Sequence, residues 1–158
     1  MAIAVTIRYG TKTDVPGMLA LVKELATYER APQEVTNTIE MMEQDGFGNQ
    51  PVFFSRIAES NGEMVGIAIF YIAYSTWKGK CVYLEDIIVT EKLRGSGIGK
   101  LLFNEVGKFA KEQEAQQLRW HVLEWNEPAI TFYKKYNTSF DTEWTTCKLM
   151  KEQIETLF

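Results

Sequence analysis

Residues 81–89 read Cys81-Val82-Tyr83-Leu84-Glu85-Asp86-Ile87-Ile88-Val89, and residues 94–99 read Arg94-Gly95-Ser96-Gly97-Ile98-Gly99. The first run is aliphatic, β-branched and aromatic, long enough to cross a sheet, with two adjacent carboxylates interrupting it. Downstream, Ile98, Leu101, Leu102, Val106, Phe109 and Ala110 recur at three and four, the stripe of an amphipathic helix, and Leu118 to Leu123 reads as another buried strand. The unit is therefore strand, glycine turn, helix, strand. Glycines at such a turn let backbone N–H groups point into open space, which suits an anionic phosphate. The spacing matches neither the dinucleotide GxGxxG fingerprint nor a P-loop.

Working toward the N-terminus, Val52 to Glu59 and Met64 to Tyr74 carry β-branched and aromatic residues joined by Ser60-Asn61-Gly62-Glu63, an antiparallel hairpin signal. Before them, Ala4 to Arg8 alternates as a strand. Thr13-Asp14 then offers an N-cap, and Val15, Met18, Leu19, Val22, Leu25 and Ala26 define a helix ending near Tyr28-Glu29. A second helix spans Thr36 to Gln44 and ends at Asp45-Gly46-Phe47-Gly48. Toward the C-terminus, Pro128 opens a short helix with Ala129, Phe132, Tyr133 and Tyr136 on one face. Thr138 to Phe140 and Thr145 to Met150 read as closing strands before a frayed helix.

With 158 residues and 46% apolar content, the chain can bury a core and is read as a single domain over 1–158. Seventeen Lys plus Arg against 21 Asp plus Glu leave a net charge of −4, without the basic field that nucleic-acid binding requires. Cys81 and Cys147 lack metal-site or disulfide-framework spacing, so reduced thiols, no metal and a cytoplasmic address are expected. No apolar run is long enough for a bilayer span, and the start does not read as a signal peptide, so no membrane role is expected.

Arg94 to Gly99 resembles the pyrophosphate turn of the GNAT superfamily of N-acetyltransferases. Lys23 to Glu29, Asp45 to Gly48, Tyr83 to Asp86, Glu124 to Pro128 and Phe132 to Lys135 resemble, in the same order, the diamine (spermidine/spermine) N-acetyltransferase family. The loop Ser75 to Lys80 is similar to the thialysine-acetylating branch of that family. The resemblance implies an α/β (α+β) fold with a mixed, mostly antiparallel sheet flanked by helices, its strands splayed at the acetyl-CoA site. It implies acetyl transfer from acetyl-CoA to a primary amine of a small molecule (polyamine, diamine or thialysine-like amino acid), by direct attack in a ternary complex, in a homodimer. Two rivals stand beside it. A peptide N-acetyltransferase needs an open groove, and a non-catalytic acyl-CoA sensor keeps the glycine turn while tolerating Phe at Tyr133.

By the same resemblance, Ile87, Ile88 and Val89 pair with the pantetheine arm, and Val89 N–H can meet the thioester oxygen. Arg94, Gly95, Ser96, Gly97, Ile98, Gly99 and Lys100 meet the pyrophosphate. Asn126 lines the cofactor channel and, as an N-cap, also serves the helix that follows. Tyr133 is the general acid for the leaving thiolate, and Glu85 faces the amine, with water relaying the proton. The amine site takes Tyr28, Glu29, Trp77, Glu85, Arg119, Trp120, His121 and Glu143, acids beside aromatic walls that suit an ammonium. Arg119 would repel a polycation and points to a substrate carboxylate. His121 could instead be a hydrogen-bonded filler. Side chains alternate along a strand, so at most one of Glu85 and Asp86 faces a shared pocket unless a bulge intervenes. The competing reading of both is ion pairing with Lys78 or Lys80 at a sheet edge.

Overall fold

The computed structural model describes residues 4–157. They fall into two compact units divided between His121 and Val122. In the first, a five-stranded sheet has the order β1-β2-β3-β4-β5: Thr6–Tyr9, Phe54–Ser60, Glu63–Ser75, Gly79–Val89 and Gln117–Arg119. Every neighbour pair is antiparallel except β4 with β5, which run parallel. Asn61 and Gly62 both have positive φ, 53° and 79°, the two-residue turn whose twist matches the flanking strands.

Helices α1 (Val15–Tyr28) and α2 (Ile39–Phe47) accompany one face, and α3 (Ile98–Glu112) the other. On the first, Val15, Met18 and Leu19 join Ile57, Ile67, Ile69 and Ile88 in one core cluster. On the second, Phe70 of β3 meets Phe109 of α3 with ring centroids 4.9 Å apart. Both faces of the central strands are covered, which explains their near-continuous apolar sequences.

Several boundaries move. Lys12–Asp14 forms a single 3-10 turn, and Asp14 precedes α1 without capping it through its side chain. Its carboxylate instead takes both terminal nitrogens of Arg8 at 2.8 Å and the Thr11 amide at 2.8 Å. Thr38 caps α2, accepting from Met41 N, and the helix runs through Asp45 and Gly46 to Phe47. Gly48, the C-cap of α2, has φ −79° and makes no use of the left-handed region open to glycine. Gly46 answers a packing need instead, since a Cβ there would lie 2.2 Å from Phe53 Cζ. The strand expected over Leu118 to Leu123 is only Gln117–Arg119, because its register with β4 stops at Tyr83↔Arg119.

The second unit contains α4 (Glu127–Lys134) and α5 (Lys151–Glu155). Asn126 caps α4, its side-chain oxygen accepting from Ala129 N at 3.3 Å. Thr138 to Phe140 and Thr145 to Met150 are not strands. β-propensity measures fit to a sheet surface, and no ladder partner meets these segments among the described residues.

Candidate active site

Between β3 and β4 the register jumps: Ile69 faces Asp86, and Phe70 faces Leu84. Glu85 is therefore a bulge, two residues opposing one, and the alternation of β4 resets there. Tyr83, opposite Tyr71, and Asp86 and Ile88, opposite Ile69 and Ile67, all face α1 and α2. Glu85 and Asp86 both line one cleft of about 510 Å³, with Val22, Asn37, Met42 and Asp45 among its other walls. The expectation that only one carboxylate would face a shared pocket yields to the bulge. Neither lysine of the edge-pairing reading forms an ion pair with them among the described residues, and Lys80 donates to Gln113 O at 2.8 Å.

The two carboxyls differ. Asp86 is half-buried beside Ile69, and burial first, then the charges of Glu85 and Glu29, pushes it up to about 6. Glu85 is exposed at the mouth, and burial first, then the charge of Glu85, raises the neighbouring Tyr71 phenol. Glu29, just past the end of α1, is itself raised by burial. Loss of water disfavours each anion, and a neighbouring anion raises the cost. Where a cationic amine enters, these groups offer it compensating charge.

Beside the carboxylates stands an aromatic and cationic row. Tyr71 and Tyr83 stack at 5.2 Å, and Arg119 is the register partner of Tyr83 on β5. The Tyr83 hydroxyl shares a hydrogen bond with His121 Nδ1. Burial, then Glu85, pushes Tyr83 up to about 12, while Arg119 acts in the opposite sense. Trp120 departs from the expected set: it packs edge-on against Phe103 of α3, 5.3 Å away, on the other face. Trp77 lies at the exposed β3–β4 turn. The strand rise from Gly79 puts that turn on the order of 20 Å from Glu85, so the structure does not bring Trp77 to the cleft.

The glycine turn has the geometry of an anion cradle. Gly95 and Gly97 have φ of 79° and 92°, conformations open to glycine, and a Cβ on either would meet no protein atom within 4 Å. Gly97 is the N-cap of α3, so the first-turn amides of Ile98, Gly99 and Lys100 have no carbonyl within the helix to bond. Ser96 Oγ donates to Leu93 O at 2.5 Å and braces the loop. Arg94 turns toward α1: its Nε donates to Val89 O at 3.2 Å, and its guanidinium lies 4.6 Å from the Tyr28 ring centroid. Thus Tyr28, expected at the amine, supports this arginine. Beyond Tyr83 the register of β4 with β5 has ended, so Ile87, Ile88 and Val89, paired with β3 on one side, leave the other edge of the strand open among the described residues. These residues fit the diphosphate and amide-rich arm of a CoA thioester. Among the described residues, no group of three or more His, Cys, Asp or Glu is placed to hold a metal ion.

In the second unit Tyr133 is buried within α4 and its carbonyl accepts from Thr138 Oγ1 at 2.9 Å. Asn126 is buried at the cap, and Glu143 is exposed, its amide donating to Asp141 Oδ1.

Residue-by-residue reading missed Tyr71, Asn37, Asp45 and Glu24. The β3 alternation Ile67, Ile69, Tyr71 was a signal for Tyr71. Glu24 lies in the family-like stretch Lys23 to Glu29 without a role read for it: it accepts from Glu91 N at 2.7 Å and sits 3.6 Å from Arg94, tying α1 to the loop ahead of the glycine turn.

The glycine turn at the start of α3, the open edge of β4 and the acidic cleft lie along one strand–turn–helix unit. The sequence matches the Acetyltransferase (GNAT) family over residues 18–137, and the chain belongs to that family. It is 38% identical over 147 residues to the thialysine N-epsilon-acetyltransferase of Bos taurus, covering 88% of this chain and 86% of that protein. It is 31% identical over 158 residues to the human spermidine/spermine N(1)-acetyltransferase-like protein 1, covering 94% of this chain but 23% of that longer protein. Among solved structures, an integron cassette protein from V. cholerae superposes with a TM-score of 0.78 at 21% identity, covering 99% of this chain and 98% of that one. An aminoglycoside N-acetyltransferase, AAC(6')-Iy in complex with CoA, superposes with a TM-score of 0.74 at 18% identity, covering 96% and 97%. At these identities the structural likeness is one of fold.

Proposed function

We propose that this protein acetylates a primary amine of a small molecule, foremost a thialysine-like amino acid, by direct attack in a ternary complex. The observation that carries the reading is the bulge at Glu85, which turns both carboxylates of β4 into one cleft. The carbon-bound ammonium, with a pKa of about 10.4, is neutral only about once in 10³ molecules at pH 7. Glu85 at the mouth holds the ammonium; Asp86 beneath it, poised near 6, takes the proton, directly or through water. Arg119, across from Tyr83 on the same face, receives the carboxylate of an amino-acid substrate.

Acetyl-CoA, when bound, supplies the activated acetyl group. The amides and open φ of Gly95 to Lys100 hold its diphosphate, the Ile87–Val89 edge its arm, and Asn126 lines the channel. Tyr133, carried by the family pattern, returns a proton to the CoA sulfur. The same reading makes the whole chain one acetyltransferase domain, supported by a family match that runs through the boundary at His121. It also takes the enzyme as a cytoplasmic homodimer, as the family resemblance implies. An acid-rich cleft with Glu85, Asp86 and Asp45 favours a diamine or polyamine as the second reading.

The test is acetyl-CoA-dependent thiol release across thialysine, lysine, putrescine, spermidine, spermine and a lysine-containing peptide. Thialysine should be preferred, and Arg119→Met should lower its kcat/KM about tenfold while leaving putrescine nearly unchanged. Polyamine preference would transfer the assignment to the second reading. Acetyl-CoA binding without release from any amine would overturn both.

A further inference from the structure

Arg56, on β2, is 5% exposed, yet among the described residues no carboxylate lies within ion-pair distance of it. Its neighbour across β1–β2 is Tyr9, whose ring centroid lies 3.9 Å from the guanidinium carbon; Phe70 and Phe109 lie at 5.4 and 5.9 Å. One hydrogen bond, Nη1 to Ser55 O at 3.0 Å, uses a fraction of its five donors. The nearby acids are committed elsewhere: Glu59 and Asp14 to Arg8, and Glu43 to Lys12. Among the described residues no fully buried side-chain nitrogen lacks a hydrogen bond, so the N–H groups that Arg56 does not spend on Ser55 reach open space, and the aromatic faces compensate its charge only in part.

Arg56 also lines a cleft of about 130 Å³ whose remaining walls include Tyr9, Phe47, Pro51, Phe53 and Phe54. The cleft shares only Phe53 with the amine cleft and none of the residues of the glycine turn. It combines a planar, bidentate donor with apolar walls, the complement of a carboxylate on a short hydrocarbon chain. With about 30 Å³ per water in the liquid, the space suits a ligand of about four to five heavy atoms.

We propose that this cleft is a second binding site, separate from the acetyl-transfer site, for a small aliphatic monocarboxylate whose carboxyl group pairs with Arg56. The guanidinium fork sets the geometry, so lysine at this position keeps the charge but loses the paired contact.

The experiment titrates wild-type protein with propionate, and in parallel with inorganic phosphate, by calorimetry and by protein NMR, with and without saturating acetyl-CoA. Saturable propionate binding that acetyl-CoA leaves unchanged is expected, with nuclear Overhauser contacts from the propionate methyl to Phe53 or Phe47. Arg56→Met should weaken binding at least tenfold and Arg56→Lys by an intermediate factor, both variants folded by circular dichroism. Equal binding by folded Arg56→Met, the absence of saturable propionate binding, phosphate binding as tightly as propionate, or methyl contacts confined to other residues would each overturn the site. The wild-type contacts decide the matter even if Arg56→Met fails to fold. Acetyl-transfer activity enters none of these readouts, so their failure leaves the enzymatic reading untouched.

Discussion

Glu85 and Asp86 are chain neighbours within one strand, yet both line the same cleft, because Glu85 is the extra residue opposite the Ile69–Phe70 step of β3. Burial first, then the charge of Glu85, raises Asp86, while Glu85 itself is exposed. The proposed mechanism divides between them the binding of an ammonium and the removal of its proton.

The pH dependence follows from this pair. Asp86 is held near 6 by burial and by the charges of Glu85 and Glu29, so kcat/KM should rise through pH 6 as it ionises. Glu85→Gln removes one raising charge, and the rise should move to lower pH. Asp86→Asn should erase the rise and lower kcat/KM about 10²-fold. A pH–rate profile with the limb intact in Asp86→Asn would assign the proton to another group.

Asp86 also has a stability signature. Its folded value lies above its ordinary 3.8, so the fold binds its proton more tightly than the unfolded chain does. The stability this contributes is complete below about pH 4 and lost as pH rises through 6. Asp86→Asn should melt higher than wild type at pH 8, with the gap closing toward pH 4 in thermal scans.

The sign reverses at Asp14. Hydrogen bonding to Arg8 pulls its carboxyl down to about 2, so its contribution is present above the ordinary carboxylate range and lost as pH falls through 2. Arg8 is 39% exposed and partly screened, so Asp14→Asn should cost only about 1 kcal/mol at pH 7. Urea unfolding should show that difference shrinking between pH 4 and pH 2.

Gly97 has φ 92°, and a Cβ there would meet no protein atom, so Gly97→Val disturbs backbone conformation and the anion's approach rather than the core. The left-handed conformation costs a non-glycine residue about 1–2 kcal/mol. Acetyl-CoA affinity should fall at least tenfold by calorimetry while the melting transition remains cooperative.

Tyr133→Phe keeps the buried ring of α4 and deletes its hydroxyl. Rapid kinetics should find kcat lowered about 10²-fold with acetyl-CoA affinity within twofold of wild type. Turnover near the wild-type rate would remove the phenol from the mechanism.

Much of the fold was legible because its signals are local. Asn61-Gly62 specified the β2–β3 hairpin through a turn only such residues adopt readily, and Ile98 to Ala110 specified α3 by its stripe. The glycine turn was legible as a cradle for the same reason, since Gly95 and Gly97 carry their conformational freedom with them. The family motifs added Glu85, Tyr133 and the acetyl-transfer reading. Legibility stopped where a partner was required. Residues 138–140 and 145–150 have strand-like composition but no ladder, and Leu118 to Leu123 keeps only its first part as β5.

The sequence by itself determined the order of elements, the hairpin, the glycine turn and the adjacency of two carboxylates, each set by residues near one another along the chain. Only the tertiary structure decided that those carboxylates share a cleft, that Trp120 turns to Phe103 while Arg119 stands in register with Tyr83, and that Arg56 is buried without an anion. The physical reason is that strand register, and with it the face each side chain occupies, is a property of pairs of strands. A one-residue bulge changes every face beyond it without changing a residue.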